Sequence, residues 1–370
     1  MRNMRAKTAA IAVVSALALV TACSSENESG DTGGNGGGPT DGGSSLSGTL
    51  AGAGASSQEA AQQAWMAGFQ SANPDVTVSY DAAGSGAGRE QFIAGGVAFA
   101  GSDAYLDDEE LTAATEQCGG DVVEVPVYVS PIAVIFNLPG VDSLNLSPST
   151  IAQIFNQQIT NWNDEAIAAD NPDVELPDLA ITPVNRSDES GTTENFADYL
   201  SQTAGEDWPH EVSGEWPVGG GEAAQGTSGV VAAVSGGEGT IGYADASQAN
   251  GLGTVNVGVG EEFVPYSPEA AAAVLGVSER VADRGEHDFA FDLARDTTEA
   301  GTYPIVLLSY GLACGSYDDA AQGELARAYL SYIVSEEGQA AAAEAAGSAP
   351  ISDELRQQIQ PAVDAIGNAG

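Results

Sequence analysis

The sequence is poor in positive charge. Its 370 residues carry 10 Lys+Arg against 53 Asp+Glu and 2 His, a formal net charge of -43. Arg2, Arg5 and Lys7 stand in the first segment, so 10 − 3 = 7 basic residues remain beyond it, none of them lysine. Nucleic acid and anionic membrane surfaces both call for a basic face, so neither surface is expected to be bound through charge. A P-loop is excluded for want of its lysine. Histidine is as scarce: His210 and His287 lie in the polar contexts WPHEV and GEHDF. Serine-hydrolase chemistry is then left without a placed base, and with no Cys-x-x-Cys a zinc phosphatase centre is not expected. A catalytic centre, a metal and a cofactor are therefore not expected, although the 53 Asp+Glu are too plentiful for any one pair to stand out and leave Ca²⁺ open.

The beginning of the chain reads as an address. The basic MRNMRAK leads into an apolar run over 8–20 that is too short to span a bilayer. It ends in Val20-Thr21-Ala22-Cys23, which resembles a bacterial lipobox. That resemblance implies a signal peptide over 1–22, cleavage before Cys23 and a lipid on its thiol; the alternative is an ordinary secretory signal with an incidental cysteine. Residues 24–45 are Gly, Ser, Asp, Asn, Thr, Glu and Pro with almost nothing to bury, so 23–45 is expected to act as a tether with a mean span of roughly 25 Å. Two cysteines remain, Cys118 and Cys314, each beside a strand-like run. In an oxidising compartment such a pair suggests a disulfide, with two buried thiols as the other reading.

Folding is expected to start near residue 46. Ser56 stands three residues before Glu59, a capping-box spacing, and Ala61, Ala64, Trp65, Gly68 and Phe69 form one apolar helix face. A strand over 76–80 runs into DAAGSGAGREQFI, where Ser85 sits between Gly84 and Gly86 at a helix start. A strand over 97–100 brings Asp103 to its end. From 121 a pair of strands, VVEVPVYV and PIAVIFNL, reaches Asn137. A different texture follows, and strand 303–313 with a helix over 325–333 resumes the first. One sheet thus begins before Asn137 and resumes after Tyr303, with another inserted. The expectation is an α/β chain of two lobes, 46–136 with 302–370 and 137–301, with a cleft between them.

The most pointed chemistry lies in NRSDESGTT, residues 185–193, between an apolar run over 179–184 and a helix carrying Phe196, Tyr199 and Leu200. Unpaired N–H groups at a helix start carry partial positive charge and bind anions, and Arg186 adds a planar fork of donors suited to phosphate or carboxylate. Read alone, the stretch also fits a plain helix cap at Ser190 or Gly191 with Arg186 paired to Asp188.

The motifs GAGASS, YDAAGSGAG, FAGSDAYL, ITNWNDEAI, NRSDESGTT, WPVGGG and GTIGYADA, in this order and spacing, resemble the phosphate-binding proteins of bacterial ABC phosphate importers, from about Leu46 to the C-terminal region. The resemblance implies a two-lobed periplasmic-binding-protein fold (type II-like), its lobes joined by two crossover segments. It implies a protein on the outer face of the bacterial cell membrane, held there by its lipid, that closes on inorganic phosphate and delivers it to a membrane permease. Carried over, Ser56 offers a hydroxyl, Ser57 a backbone N–H in place of a usual phenylalanine, and Ser85 a hydroxyl and an N–H. Asp103 accepts a proton borne by phosphate, Arg186 is the cation, and Ser190, Gly191 and Thr192 supply hydroxyls and N–H groups. Asp188 orients Arg186. The Ser57 departure is expected to loosen the apolar wall. Rival readings are a binding protein for another oxyanion (sulfate, molybdate or a phosphate ester), for which Asp103 is the discriminating residue, an enzyme, and a surface adhesin or signalling module on the same fold.

Overall fold

A computed structural model describes residues 46–249 and 251–367 of the chain. The proposed leader and tether, with Cys23, lie outside the described residues. The first elements alternate: β1 (Gly48–Gly54), α1 (Glu59–Ala72), β2 (Val76–Asp81), α2 (Ser85–Ile93), β3 (Phe99–Ser102), α3 (Asp108–Cys118) and β4 (Val122–Phe136). The middle of the chain supplies β5 (Ser143–Leu146), α4 (Pro148–Phe155), α5 (Glu165–Asp170), β6 (Thr182–Arg186), α6 (Gly191–Ala204), β7 (Glu222–Ala224), α7 (Gly226–Gly236) and β8 (Thr240–Asp245). The remainder is β9 (Gly253–Val259), β10 (Glu262–Val264), α8 (Pro268–Val277), β11 (Glu279–Arg280), β12 (Phe291–Asp292), β13 (Val306–Cys314), α9 (Ala320–Val334), α10 (Glu336–Ala346) and α11 (Asp353–Ala365).

The strand order β2-β1-β3-β13-β4-β8-β6-β7 is set by β4, whose 15 residues are all buried. Two strands were expected here; the structure has one. Pro126 and Pro131, which look like a break in the sequence, fall where a central strand can lose a ladder bond. Pro126 lies at the register shift opposite Ser309 and Tyr310, and Pro131 is the last residue paired with β13 before Ile132–Phe136 turn to β8. A single apolar strand therefore pairs with β13 along its first part and with β8 along its last. In the first lobe β1 runs parallel to β2 and β3; in the second, β6 runs parallel to β7 and β8. The small strands β5, β9 and β10 gather at the far end of β4, and none of them was expected from the sequence.

Local chemistry explains the element boundaries. Asp107 accepts from the Glu110 N–H while Glu110 reaches back to the Asp107 N–H, closing a capping box, and Gly119 ends α3 in the left-handed region at φ 66. The face expected on α1 is buried through Ala61, Trp65 and Phe69. The capping box expected from Ser56 does not form: Gln58 is the N-cap of α1, without a side-chain cap, and the Ser56 hydroxyl is turned across the cleft. Cys118 and Cys314, the last residues of α3 and β13, are joined in a disulfide (S–S 2.02 Å) with their Cα atoms 5.2 Å apart.

Candidate functional site

Parallel strands leave their carboxyl ends pointing the same way, and a ligand crevice forms outside those ends. Here β1, β2 and β3 lead into Ser56–Ser57, Ser85 and Asp103 from one lobe, while β6 and β7 lead into Arg186–Thr192 and Gly226–Thr227 from the other. Ser85 is the first residue of α2 behind Gly84 at φ 111; Ser190 caps α6 by accepting from the Thr193 N–H at 3.3 Å. With the starts of α1 and α7, four helix N-termini face one spot.

The approach is close. A Cβ on Gly191 would lie 2.7 Å from Asp103 Cβ and 2.8 Å from Ser85 Oγ, and one on Gly84 would lie 2.8 Å from Asp188 Oδ2. Only glycine lets the two backbones meet here. Across the same gap Ser56 Oγ lies 3.1 Å from Thr227 Oγ1 and accepts from the Thr227 N–H at 3.2 Å. Thr192 donates to Asp103 Oδ2 at 3.1 Å, and Asn195 Nδ2 donates to the Asp103 carbonyl at 2.7 Å. At the rim the Arg89 guanidinium, anchored to Glu110 in its own lobe, reaches Glu189 of the other at 3.0 Å.

All eight residues expected at the ligand are brought together and buried: Ser56, Ser57, Ser85, Asp103, Arg186, Ser190, Gly191 and Thr192. Arg186 donates Nε to Asp188 Oδ1 at 2.8 Å and Nη2 to Asp188 Oδ2, which leaves Nη1 as the remaining guanidinium nitrogen. Gly226 N–H also donates to Asp188 at 3.0 Å. Burial works against the Asp188 charge, yet the Arg186 hydrogen bond and charge hold its carboxyl below the ordinary range. Ser57 departs from expectation. Its side chain is fully buried and its hydroxyl lies 2.7 Å from both oxygens of Asp103, so the wall here is a donor rather than a gap.

Asp103 is 2 % exposed and accepts from Ser57, Thr192 and Ser309, while its own N–H donates to Ser85 Oγ at 3.1 Å. Burial pushes its carboxyl above the ordinary range, against the pull of the Ser309, Ser57 and Thr192 hydroxyls and of the Arg186 charge. The arrangement can wrap a small oxyanion in N–H and O–H donors with the buried Asp103 carboxylate as an acceptor among them. Thr227, Ser309, Gln58 and Asn195 were missed by sequence reasoning. Thr227 and Ser309 stand in ordinary runs (QGTSG and LLSYG) whose neighbours only folding supplies. His210 meets Asn156 and the Trp208 ring, and His287 lies 3.8 Å from Asp121; among the described residues neither bonds to the cradle.

The model of the PBP superfamily domain matches residues 39–337. The phosphate-binding protein PstS 3 of Mycobacterium leprae is 35% identical over 97% of this chain and 98% of its own. The chain belongs to the PstS family of phosphate-binding proteins. Its Mycobacterium tuberculosis relative, also PstS 3, is 36% identical over 86% of each chain. Among solved structures, a high-affinity periplasmic phosphate-binding protein bound with phosphate superposes with a TM-score of 0.70 at 23% identity, covering 85% of this chain and 93% of that one. A putative phosphate ABC transporter substrate-binding protein from Clostridium perfringens gives 0.58 at 20% identity, covering 81% and 98%. At those identities the solved structures establish the two-lobed α/β fold. The curated relatives are binding proteins, and this PstS-family chain is one too, not an enzyme.

Proposed function

We propose that this protein captures inorganic phosphate between its lobes, 46–136 with 302–370 and 137–301, and delivers it to the permease of an ABC importer. In this reading it is extracytoplasmic, tethered by 23–45 and anchored to the outer face of the cell membrane through a lipid on Cys23. The observation that carries the proposal is the buried Asp103 carboxylate among converging N–H and O–H donors. A carboxylate facing an anion repels it unless the anion brings a proton, and phosphate near neutral pH retains a P–OH where sulfate has none. In the bound state Ser56, the Ser57 backbone N–H, Ser85, Ser190, Gly191 and Thr192 donate, Arg186 supplies the cation, and Asp103 accepts the phosphate proton. Micromolar affinity needs about 8 kcal/mol, within reach of several charge-assisted hydrogen bonds.

Calorimetric titration with phosphate, arsenate, sulfate and molybdate tests the reading. Phosphate and arsenate should bind, with sulfate rejected by about 10⁴-fold or more; tighter binding of sulfate or molybdate would assign the cleft to another oxyanion. On the same preparations, detergent-phase partitioning of the full chain, lost in Cys23→Ser, checks the anchor.

A further inference from the structure

Asp103 receives one of its hydrogen bonds from outside the cradle. Ser309, fully buried on β13, lies 2.6 Å from Asp103 Oδ1. Behind it, Gln58 Nε2 lies 2.6 Å from Ser309 Oγ and 3.3 Å from the Tyr310 carbonyl. A carbonyl only accepts, so this end of the Gln58 side chain is its NH2, and that group donates to Ser309. Gln58 Oε1 in turn accepts from Gln62 Nε2 at 2.9 Å, and Gln62 Oε1 accepts from the Tyr329 hydroxyl at 2.8 Å. All four residues are buried.

A serine hydroxyl has one proton. Since Ser309 receives the Gln58 N–H, it must give its own proton away. Its two acceptors are Asp103 Oδ1 at 2.6 Å and the Ser102 carbonyl at 3.4 Å, and the shorter contact takes it. Every donor from Tyr329 inward then points toward Asp103. Chains aligned in this way polarise one another, and more so where water is excluded. The four residues lie on α1 and its N-cap, on α9 and on β13, on the Asp103 side of the cleft, so the chain does not depend on the Thr192 contact that crosses it.

We propose that Tyr329, Gln62, Gln58 and Ser309 form a one-way hydrogen-bond relay that holds Asp103 in place and keeps its Oδ1 an obligatory acceptor, thereby setting the pH range over which the cleft distinguishes protonated from unprotonated tetrahedral oxyanions. These are positioning residues that act through Asp103. The proposal rests on the phosphate-binding reading of the same cleft. Among the side-chain hydroxyls that favour the charged carboxyl, that of Ser309 has the largest effect. The other titratable and charged groups that interact with Asp103 are Arg186 from β6, Tyr80 from β2, Tyr128 from β4 and Asp245 from β8. Burial pushes Asp245 up to about 6, within the range of the test, so the comparison is made between variants that all retain it.

The experiment measures the phosphate-over-sulfate affinity ratio by calorimetry from pH 4.5 to 8 for the full chain, Ser309→Ala, Gln58→Met and the control Asp103→Asn. Loss of a donor raises the Asp103 pKa, so discrimination against sulfate should fail at higher pH. The expected displacement for Ser309→Ala is about one pH unit, a tenfold change in the protonation equilibrium. Gln58→Met, which leaves the Ser309 hydroxyl in place but unpolarised, should move the profile the same way by less. Asp103→Asn should discriminate poorly at every pH. If Ser309→Ala does not fold, Gln58→Met carries the test. Uniform weakening with the profile unmoved would show a merely structural role and overturn the relay. Wild type that binds no phosphate would overturn the phosphate reading and the relay together, whereas wild type that discriminates while the variants do not shift overturns the relay alone.

Discussion

Arg186 enters the cleft already paired, with Nε and Nη2 held by Asp188. The pair is close to neutral, so in the proposed bound state the anion is held mainly by oriented N–H and O–H groups and one remaining guanidinium nitrogen. This suits a molecule whose exterior is strongly acidic, since fixed dipoles in a closed cleft are screened far less than surface charges. Arg186→Ala should weaken phosphate binding by about 2–5 kcal/mol, because the dianion loses its cation and Asp188 is left without its guanidinium partner. Calorimetry decides the point; near-wild-type affinity in the variant would place the arginine outside the binding energetics.

Among the elements, β4 and β13 hold the architecture together, and the disulfide ties the end of β13 to α3 across 196 residues of sequence. A cross-link over so long a loop restricts the unfolded chain strongly, and such bridges typically stabilise by about 2–4 kcal/mol. Cys118→Ser combined with Cys314→Ser should therefore lower the unfolding temperature. Phosphate affinity should hardly change, because neither cysteine is among the side chains that bond across the cradle. Coincident melting of the two proteins would show that the bridge adds nothing.

For the whole molecule, pH acts through buried carboxylates. Glu194 is pushed up to about 7, first by burial, with Arg89 opposing and Glu110, Glu189 and Asp198 adding to the rise. Its unfolded value is ordinary, so between about pH 4.5 and 7 the folded state holds more protons than the unfolded one. Stability then falls as pH rises through that window. Asp245, pushed up to about 6 by burial, acts in the same direction. The unfolding temperature should be higher at pH 5 than at pH 7.5, and Glu194→Gln should reduce the difference. A melting temperature that climbs over this range would contradict the assignment.

The sequence by itself determined the parts of the site that are local. A glycine beside a hydroxyl at a helix start, as at Ser85 and in Ser190–Thr192, and an arginine two residues before its aspartate are short-range arrangements legible in order of residues. The helix face on α1 was legible for the same reason. The continuity of β4 was not, because two prolines signal a break unless the partners on either side are known. Nor was the Ser56 hydroxyl, whose spacing to Glu59 promised a helix cap and whose actual partner, Thr227, is 171 residues away. Ser57, Ser309, Gln58 and Gln62 gained their roles only when β1, β3, β13 and α9 were packed together. A hydroxyl or amide buried away from water must find a donor or acceptor in the protein, and which one it finds is settled by tertiary packing rather than by its neighbours in the chain.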